Sequence, residues 1–448
     1  MKRLFGTDGI RAVAGESPLD SPTVRRFGAA LADVLRCRTT SDEACRVVLG
    51  RDTRESGPWL RDAVAAGLAS RGASATDAGV ISTPGLAHVL QLGGYDAGVM
   101  ISASHNPFHD NGLKAFGPQG TKLSDATEQE LEKRILDDGV DDPGETRERV
   151  STQPELVREY VDYLTRVVSP PGRFEGLRLV LDCANGSASA IAPGIFREHG
   201  AIVETIGTDP DGRNINLDCG SLHLDRLAEA VSKSGADAGL AFDGDADRCL
   251  AVDRRGRVID GDYILYITGR QLKRAGRLRG DALVATIMSN FWLEEKLGEE
   301  GIGLHRAPVG DKYVLERMVS ENLVLGGEQS GHIIFRDHAT TGDGILTGLL
   351  LLDTVADGPA LDEIVDGITP YPQVLLNVKV QEKPNLREHP IIGPVVGEVE
   401  RALDGRGRVV LRYSGTEPKA RVMIEGKDQG IVRDLAGKLA GVIERELG

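Results

Sequence analysis

Ala238-Gly239-Leu240-Ala241-Phe242 runs directly into Asp243-Gly244-Asp245-Ala246-Asp247-Arg248. A short apolar run closed by a turn reads as a buried strand. Here the turn holds three carboxylates at alternate positions. The same succession recurs twice. Gly98-Val99-Met100-Ile101 enters Ser102-Ala103-Ser104-His105, and Leu323-Val324-Leu325 enters Gly326-Gly327-Glu328. Each strand follows an earlier β-branched run: Leu179-Val180-Leu181-Asp182, Val47-Val48-Leu49-Gly50 and Leu283-Val284-Ala285-Thr286, respectively. A helical-looking stretch lies between the two members of each pair. Such alternation predicts α/β layers. Three similar units put three special loops at comparable strand ends, where open α/β sheets bind ligands.

Outward from these pairs, composition marks the boundaries. Asp137 to Thr146 is acidic with Gly139, Pro143 and Gly144, and reads as a loop; Thr127-Glu128-Gln129-Glu130 upstream has capping-box spacing. Leu156, Val157, Tyr160, Val161, Leu164, Val167 and Val168 predict a helix that Pro170-Pro171-Gly172 stops. Arg254-Arg255-Gly256 marks the second-to-third transition, and Pro370 and Pro372 the third-to-fourth. The expected divisions are 1–150, 151–253, 254–369 and 370–448. The tail from Tyr371 reads as strands around Leu375–Val380, Val409–Leu411 and Val422–Ile424 with a closing helix. It carries 13 basic against 11 acidic residues.

The whole chain has 448 residues, 53 Lys and Arg against 68 Asp and Glu, and a net charge of −15. That charge excludes the nonspecific field that holds nucleic acid and the polybasic face that binds anionic membranes. With 40 % hydrophobic residues spread along the chain, disorder is excluded too. Glycine, at 56 residues, is well above the usual ~7 % and implies many tight turns. Cys37, Cys45, Cys183, Cys219 and Cys249 form neither a CxxC pair nor an even set. They read as reduced structural thiols. Met1-Lys2-Arg3-Leu4-Phe5-Gly6 has no apolar stretch behind its charges, and the longest apolar run, near Gly348–Leu352, is too short to span a bilayer. The expected compartment is the cytoplasm.

Three buried carboxylates converging on a point call for a cation. Hard oxygen ligands suit Mg²⁺. An EF-hand is excluded because Arg248 and Arg254 stand where it needs glycine and glutamate. In Ile101-Ser102-Ala103-Ser104-His105-Asn106-Pro107 the nucleophile elbow G-x-S-x-G is absent, and a histidine next to a serine is expected to point away from it. A serine carrying phosphate would supply the anionic ligand the aspartates lack; an ordinary serine turn is the plainer alternative. Gly326-Gly327-Glu328-Gln329-Ser330-Gly331-His332 suits hydrogen bonding to sugar hydroxyls, with a histidine for proton transfer. Arg412-Tyr413-Ser414-Gly415-Thr416-Glu417-Pro418, with Arg421, suits a phosphate. In Phe5-Gly6-Thr7-Asp8-Gly9-Ile10-Arg11, Thr7 and Arg11 read as a solvated turn; Pro308-Val309-Gly310-Asp311-Lys312-Tyr313 is similar, with Lys312 as a possible anion contact.

These strings, in this order, resemble the α-D-phosphohexomutase superfamily, and within it the bacterial phosphoglucosamine mutase branch. The resemblance spans essentially the whole chain. The opening string and Gln329 favour this branch over phosphomannomutase or phosphoglucomutase, which stays as the alternative. The fold implied is three related α/β domains with mixed sheets plus a smaller C-terminal α+β domain around a central cleft. The activity implied is interconversion of glucosamine 6-phosphate and glucosamine 1-phosphate through a phosphoserine at Ser104 and a 1,6-bisphosphate. Asp243, Asp245, Asp247 and the Ser104 phosphate would hold one Mg²⁺. Glu328 and Ser330 would orient sugar hydroxyls, and Arg412, Ser414, Gly415, Thr416 and Arg421 the phosphate not being transferred. Arg11, His105, Lys114, Arg248 and His332 fall where the family has phosphate stabilisers and proton-transfer groups. Glucosamine or glucose 1,6-bisphosphate is the implied activator, and the partner a small sugar phosphate, with no nucleic acid or membrane. The expected assembly is a monomer or homodimer. Two positions depart from the family pattern: Ala12 follows Arg11 where glycine is usual, and Lys312 stands for arginine, keeping charge without the fork. A sugar-phosphate-binding regulator would need only the Glu328 and Arg412 loops; Ser104 with all three aspartates argues for an enzyme.

Overall fold

The computed structural model describes residues 4–6, 8–36, 44–137, 139–144, 150–414 and 418–448. The chain forms two compact units, Met1–Thr286 with His305–Val365, and Ile287–Leu304 with Asp366–Gly448.

The first unit contains three related sheets. In the first, β2 (Arg46–Arg51), β3 (Ser74–Val80), β4 (Ala97–Ile101) and β5 (Asp110–Phe116) join β1 (Ile10–Val13) in the order β3-β2-β4-β5-β1. In the second, β6 (Arg178–Asp182), β7 (Ile202–Ile206), β8 (Ala238–Phe242), β9 (Cys249–Asp253) and β10 (Val258–Ile259) run β7-β6-β8-β9-β10. The third has β11 (Ala282–Thr286), β12 (Gly303–Ala307), β13 (Leu325–Gly327) and β14 (Ile333–Phe335) in the order β12-β11-β13-β14. In every sheet the first strand of the quoted pair lies parallel to the second, with Val47↔Ala97, Leu179↔Ala238 and Val284↔Gly326 in register. The second strand then turns back antiparallel, with Ile101↔Leu113, Phe242↔Cys249 and Gly327↔Ile333 in register. The serine, aspartate and Glu328 loops therefore occupy one topological position three times over. The strands beneath them, β4, β8 and β13, are buried throughout, as their unbroken apolar runs predict.

Helices cover these sheets. Ser21–Arg36 packs on Gly57–Ser70, and the crossing is closed by glycines. A Cβ at Gly67 would stand 2.0 Å from Arg25 O and 2.7 Å from Ala29 N, both backbone atoms of the facing helix. Neither atom can rotate away, so Gly67→Ala should force the helices apart. The expected loss is about 1–3 kcal/mol, read as a fall in Tm of several degrees; an unchanged Tm would mean the crossing is loose.

Several local expectations are corrected. The helix Asp125–Leu136 is capped by Ser124, whose side chain accepts the Thr127 N–H at 3.3 Å. Thr127 is thus inside the first turn, its hydroxyl 2.9 Å from Ser124 Oγ, and not the cap. Arg254-Arg255-Gly256 is the tip of the β9–β10 hairpin, with Val252↔Val258 in register, so the second sheet continues past 253. Residues 287–304 group by their contacts with the C-terminal unit. The expected helix after Pro154 spans Glu155–Val167 and buries Tyr160 and Leu164. The apolar run near Gly348 lies in the helix Gly344–Val355. Among the described residues no helix is long and apolar enough to cross a membrane. Cys45, Cys183, Cys219 and Cys249 are buried free thiols, and Cys37 lies outside the described residues.

In the second unit, β15 (Gln373–Lys379), β16 (Gly407–Tyr413) and β17 (Lys419–Gly426) form an antiparallel sheet in the order β15-β17-β16. The helices Ile392–Leu403 and Gln429–Leu447 cover one face around Val396, Val399, Val422, Ile424, Leu439 and Ile443. Asn290 ties the 287–304 segment in: its side-chain amide donates to Tyr371 O at 2.9 Å and accepts the Tyr371 N–H at 3.1 Å.

Candidate active site

The loop after β8 brings Asp243, Asp245 and Asp247 together. One carboxylate oxygen from each lies within 4.8 Å of the others, and all three residues are buried. The positive φ of Ala246, 54°, turns the chain tightly enough for alternate side chains to converge. Burial, then the charges of Asp247 and Asp245, push the Asp243 carboxyl well above its ordinary pKa. Against burial, Lys114 and His332 hold Asp247 well below its own. Among the described residues, Asp245 Oδ1 and Asp247 Oδ1 are buried without a hydrogen-bond partner. Two unsatisfied carboxylate oxygens in an all-oxygen cluster fit a hard divalent cation.

Ser104 follows β4 and is 1 % exposed, with φ +53°. Its Oγ donates to Asp243 Oδ2. The same positive φ places His105 Nδ1 3.2 Å from Ser104 Oγ, so the histidine does not point away as expected. Burial, with Arg248 and Arg11 nearby, lowers the His105 pKa to about 4 and leaves the ring neutral near pH 7. Lys114, on β5, is buried and reaches Asp245 Oδ2 at 2.8 Å, Asp8 Oδ2 at 3.2 Å and Asp247 Oδ2 at 3.5 Å. Those carboxylates raise its pKa against the pull of burial, so the ammonium stays charged. Arg11 pairs with Asp8. The Arg248 N–H donates to Asp243 Oδ1 at 3.1 Å, and its Nε stands 3.8 Å from Asp247 Oδ1.

The third loop adjoins the second through His332, whose Nδ1 is 3.7 Å from Asp247 Oδ1. The Gly342 N–H donates to His332 Nε2 at 2.9 Å, which makes that nitrogen an acceptor and leaves the Nδ1 proton facing Asp247. Against burial, Asp247 and Asp311 raise the His332 pKa. A Cβ at 342 would stand 2.5 Å from the ring, so only glycine lets the loop approach it. Glu328 Oε1 accepts the Gly310 N–H at 3.0 Å, and Ser330 Oγ donates to Glu328 Oε2 at 3.2 Å. Lys312 is not in this chain of contacts: it pairs with Asp125 and lies 3.4 Å from Leu123 O. The neighbouring Asp311 is, through Lys122, which bridges Asp311 Oδ2 at 2.6 Å to Asp8.

Sequence reasoning passes over Asp8, Asp52, Arg54, Thr83, Lys122, Asn216 and Asp311. Asp8 and Asp311 sit in quoted strings as lone acids beside glycine, a signal that attention to the neighbouring cations obscures. Thr83 donates its hydroxyl to Asp245 Oδ2. Arg54, 1 % exposed, donates to Ser104 O at 2.9 Å, Asn106 O at 2.8 Å and Asp110 O at 3.0 Å, to Pro107 O, and through Nε to Asp52 Oδ2 at 2.9 Å. Asn216 Nδ2 donates to the first two carbonyls as well, at 2.9 and 3.0 Å.

In the second unit Arg412 and Arg421 are register partners across β16 and β17. Burial, then Arg421, lowers the Arg412 pKa. Like charges directly opposite disfavour a sheet pairing. Ser414 follows on the same strand end and is buried; Gly415 and Thr416 lie outside the described residues.

Comparison with known proteins supplies the context for this geometry. The chain matches four models of the phosphoglucomutase/phosphomannomutase family in order: alpha/beta/alpha domain I over residues 2–139, domain II over 158–256, domain III over 260–371 and the C-terminal domain over 375–442. It is 48 % identical to a phosphoglucosamine mutase of Solibacter usitatus over 448 residues, covering 100 % of this chain and 99 % of that one. Its fold is similar to a phosphoglucomutase/phosphomannomutase family protein of Burkholderia thailandensis, with TM-score 0.79, 23 % identity and coverage of 99 and 98 % of the two chains. It is also similar to an Aspergillus fumigatus N-acetylphosphoglucosamine mutase solved with GlcNAc-6P and magnesium, with TM-score 0.65, 19 % identity and coverage of 99 and 96 %. The threefold sheet pattern and the matched domain order agree from end to end, and the chain belongs to the phosphoglucomutase/phosphomannomutase family.

Proposed function

We propose that the chain is a phosphoglucosamine mutase, an isomerase that interconverts glucosamine 6-phosphate and glucosamine 1-phosphate through a phosphoserine at Ser104. The observation that carries this reading is the contact of Ser104 Oγ with Asp243 at the edge of three buried carboxylates. The family membership and the name of the Solibacter relative support the sugar.

A phosphate on Ser104 would pass to a hydroxyl of the bound monophosphate. The serine O–P bond breaks, the sugar O–P bond forms, and the sugar hydroxyl gives its proton to a base. The 1,6-bisphosphate then turns over and returns its other phosphate to Ser104. Asp243, Asp245, Asp247 and the serine phosphate would hold Mg²⁺, which neutralises phosphoryl charge when bound. Lys114, Arg11 and Arg248 would stabilise that charge from the protein side. His105 and His332 are the groups for proton transfer, the first neutral and the second carrying a proton on the nitrogen that faces the aspartates. Glu328 and Ser330 would accept and donate to sugar hydroxyls. Arg412, Ser414, Gly415, Thr416 and Arg421 would hold the phosphate that is not moving, and Lys312 would join them only by leaving Asp125. We place the enzyme in the cytoplasm, acting on a free sugar phosphate.

A panel of glucosamine, glucose and mannose phosphates with Mg²⁺ and a bisphosphate primer tests the assignment. Glucosamine phosphate is expected to give the highest kcat/KM. A preference for mannose or glucose phosphate would move the chain to the phosphomannomutase/phosphoglucomutase activity; no turnover on any of them would make it a binder.

A further inference from the structure

We propose that Arg54 and Asn216 are positioning residues that hold Ser104 in the one backbone geometry that aims its Oγ at the aspartate loop. The inference rests on the phosphoserine reading above and adds to it. Ser104 has φ +53°, a region that residues with a Cβ enter only when their surroundings impose it. What imposes it here is a clamp on two carbonyls. Ser104 O and Asn106 O each accept from Arg54 Nη2 and from Asn216 Nδ2, at 2.8–3.0 Å. Asp52 completes the clamp from the other side. It accepts Arg54 Nε at 2.9 Å and the Ser102 hydroxyl at 2.7 Å, and Ser102 Oγ accepts the Ser104 N–H at 2.9 Å. Both the N–H and the C=O of Ser104 are therefore fixed, and only its Oγ is left to turn.

The two donors come from different sheets. Arg54 lies just beyond β2, and Asn216 lies between β7 and the helix Leu224–Ser234. The second sheet thus contributes both the carboxylate that Ser104 Oγ meets and the amide that orients the serine. Further ties join the same segments: the Glu55 N–H donates to Gly212 O at 2.9 Å, and the Thr53 hydroxyl to Asn185 O at 2.6 Å. Losing the amide would let the Ser104 peptide relax toward negative φ and carry Oγ away from Asp243.

Asn216 itself has φ +58°. Asn216→Gly keeps that backbone conformation and deletes only the amide, so it is the decisive variant. In the full-length protein, kcat and KM would be measured together with the initial rate of phosphate uptake on Ser104 from glucose 1,6-bisphosphate, followed by intact mass. Asn216→Gly should slow both phosphate uptake and kcat about tenfold or more, with KM within about threefold. Arg54→Lys should fall further, since an ammonium cannot span the carbonyls that the fork reaches. If Arg54→Lys does not fold, Asn216→Gly decides alone. Unchanged uptake and kcat in Asn216→Gly, or a loss confined to KM, overturns the clamp while leaving the phosphoserine intact. Parent protein that takes up no phosphate, or Ser104→Ala that still turns over, overturns both.

Discussion

Ser104→Ala is expected to lose turnover by on the order of 10⁴-fold or more while the chain still folds. The size of the effect follows from what surrounds the hydroxyl. Ser102 is the nearest hydroxyl in sequence, yet it is spent: its proton goes to Asp52 Oδ2 and its lone pair takes the Ser104 N–H. It faces the clamp and not the aspartates, so it cannot substitute. Removing the Ser104 hydroxyl leaves Asp243 Oδ2 without that donor, at a cost of about 1–2 kcal/mol. A modest fall in Tm beside near-complete loss of activity is therefore the expected pair of results. Activity in a coupled assay within about a hundredfold of the parent would remove Ser104 from the chemistry.

The same contrast between Ser102 and Ser104 shows what sequence can carry. Two serines in one short loop look equivalent as a string, and resemblance alone singles out the second. The reason is a backbone angle, and no residue pattern announces a positive φ at serine. The threefold pattern of strand, strand and loop is legible because each strand is an unbroken apolar run and each loop concentrates carboxylates, hydroxyls or glycines. The shared strand order of the three sheets is not legible from those runs, since pairing is set by register over long separations. The cage around the serine is hidden for a related reason. Arg54 is 50 positions from Ser104 and Asn216 is 112, and both act on carbonyls, which every residue possesses. Lys312 is the opposite case. Its charge and its place in a glycine turn suggest an anion contact, whereas Asp125 on the helix Asp125–Leu136 takes it and Lys122 bridges Asp311. Cations are easy to notice in a string, and their partners are fixed only by the fold. The C-terminal arginines are the converse. Arg412 and Arg421, nine positions apart in the string, become neighbours only once β16 and β17 are in register.

Asp243→Asn is expected to invert the order of stability between metal-free and metal-replete buffer. In chelator the variant should melt above the parent. Asp243 is fully buried, and its charged form is opposed first by burial and then by Asp247 and Asp245. Asparagine removes that charge without breaking the local bonds. Its Oδ1 can accept the Arg248 N–H, as Asp243 Oδ1 does at 3.1 Å, and its Nδ2 can donate to Ser104 Oγ, which then acts as acceptor. Asp245 and Asp247 keep Lys114, so no buried cation is stranded. In millimolar Mg²⁺ the order should reverse. A folded-state ligand stabilises by RT ln(1 + [L]/Kd), about 2.7 kcal/mol at a hundredfold excess over Kd, and the variant forfeits much of this with one of three protein carboxylates gone. Turnover should fall by about 10²–10³-fold in the same samples. A titration calorimeter supplies the independent readout, with weaker Mg²⁺ binding expected for the variant. If the parent melts above Asp243→Asn in chelator as well, the three carboxylates are not strained against one another, and the loop is an ordinary acidic turn. If the variant binds Mg²⁺ as tightly as the parent, the cation sits elsewhere. Only a site built to be completed by a cation makes the same substitution stabilising without the metal and destabilising with it.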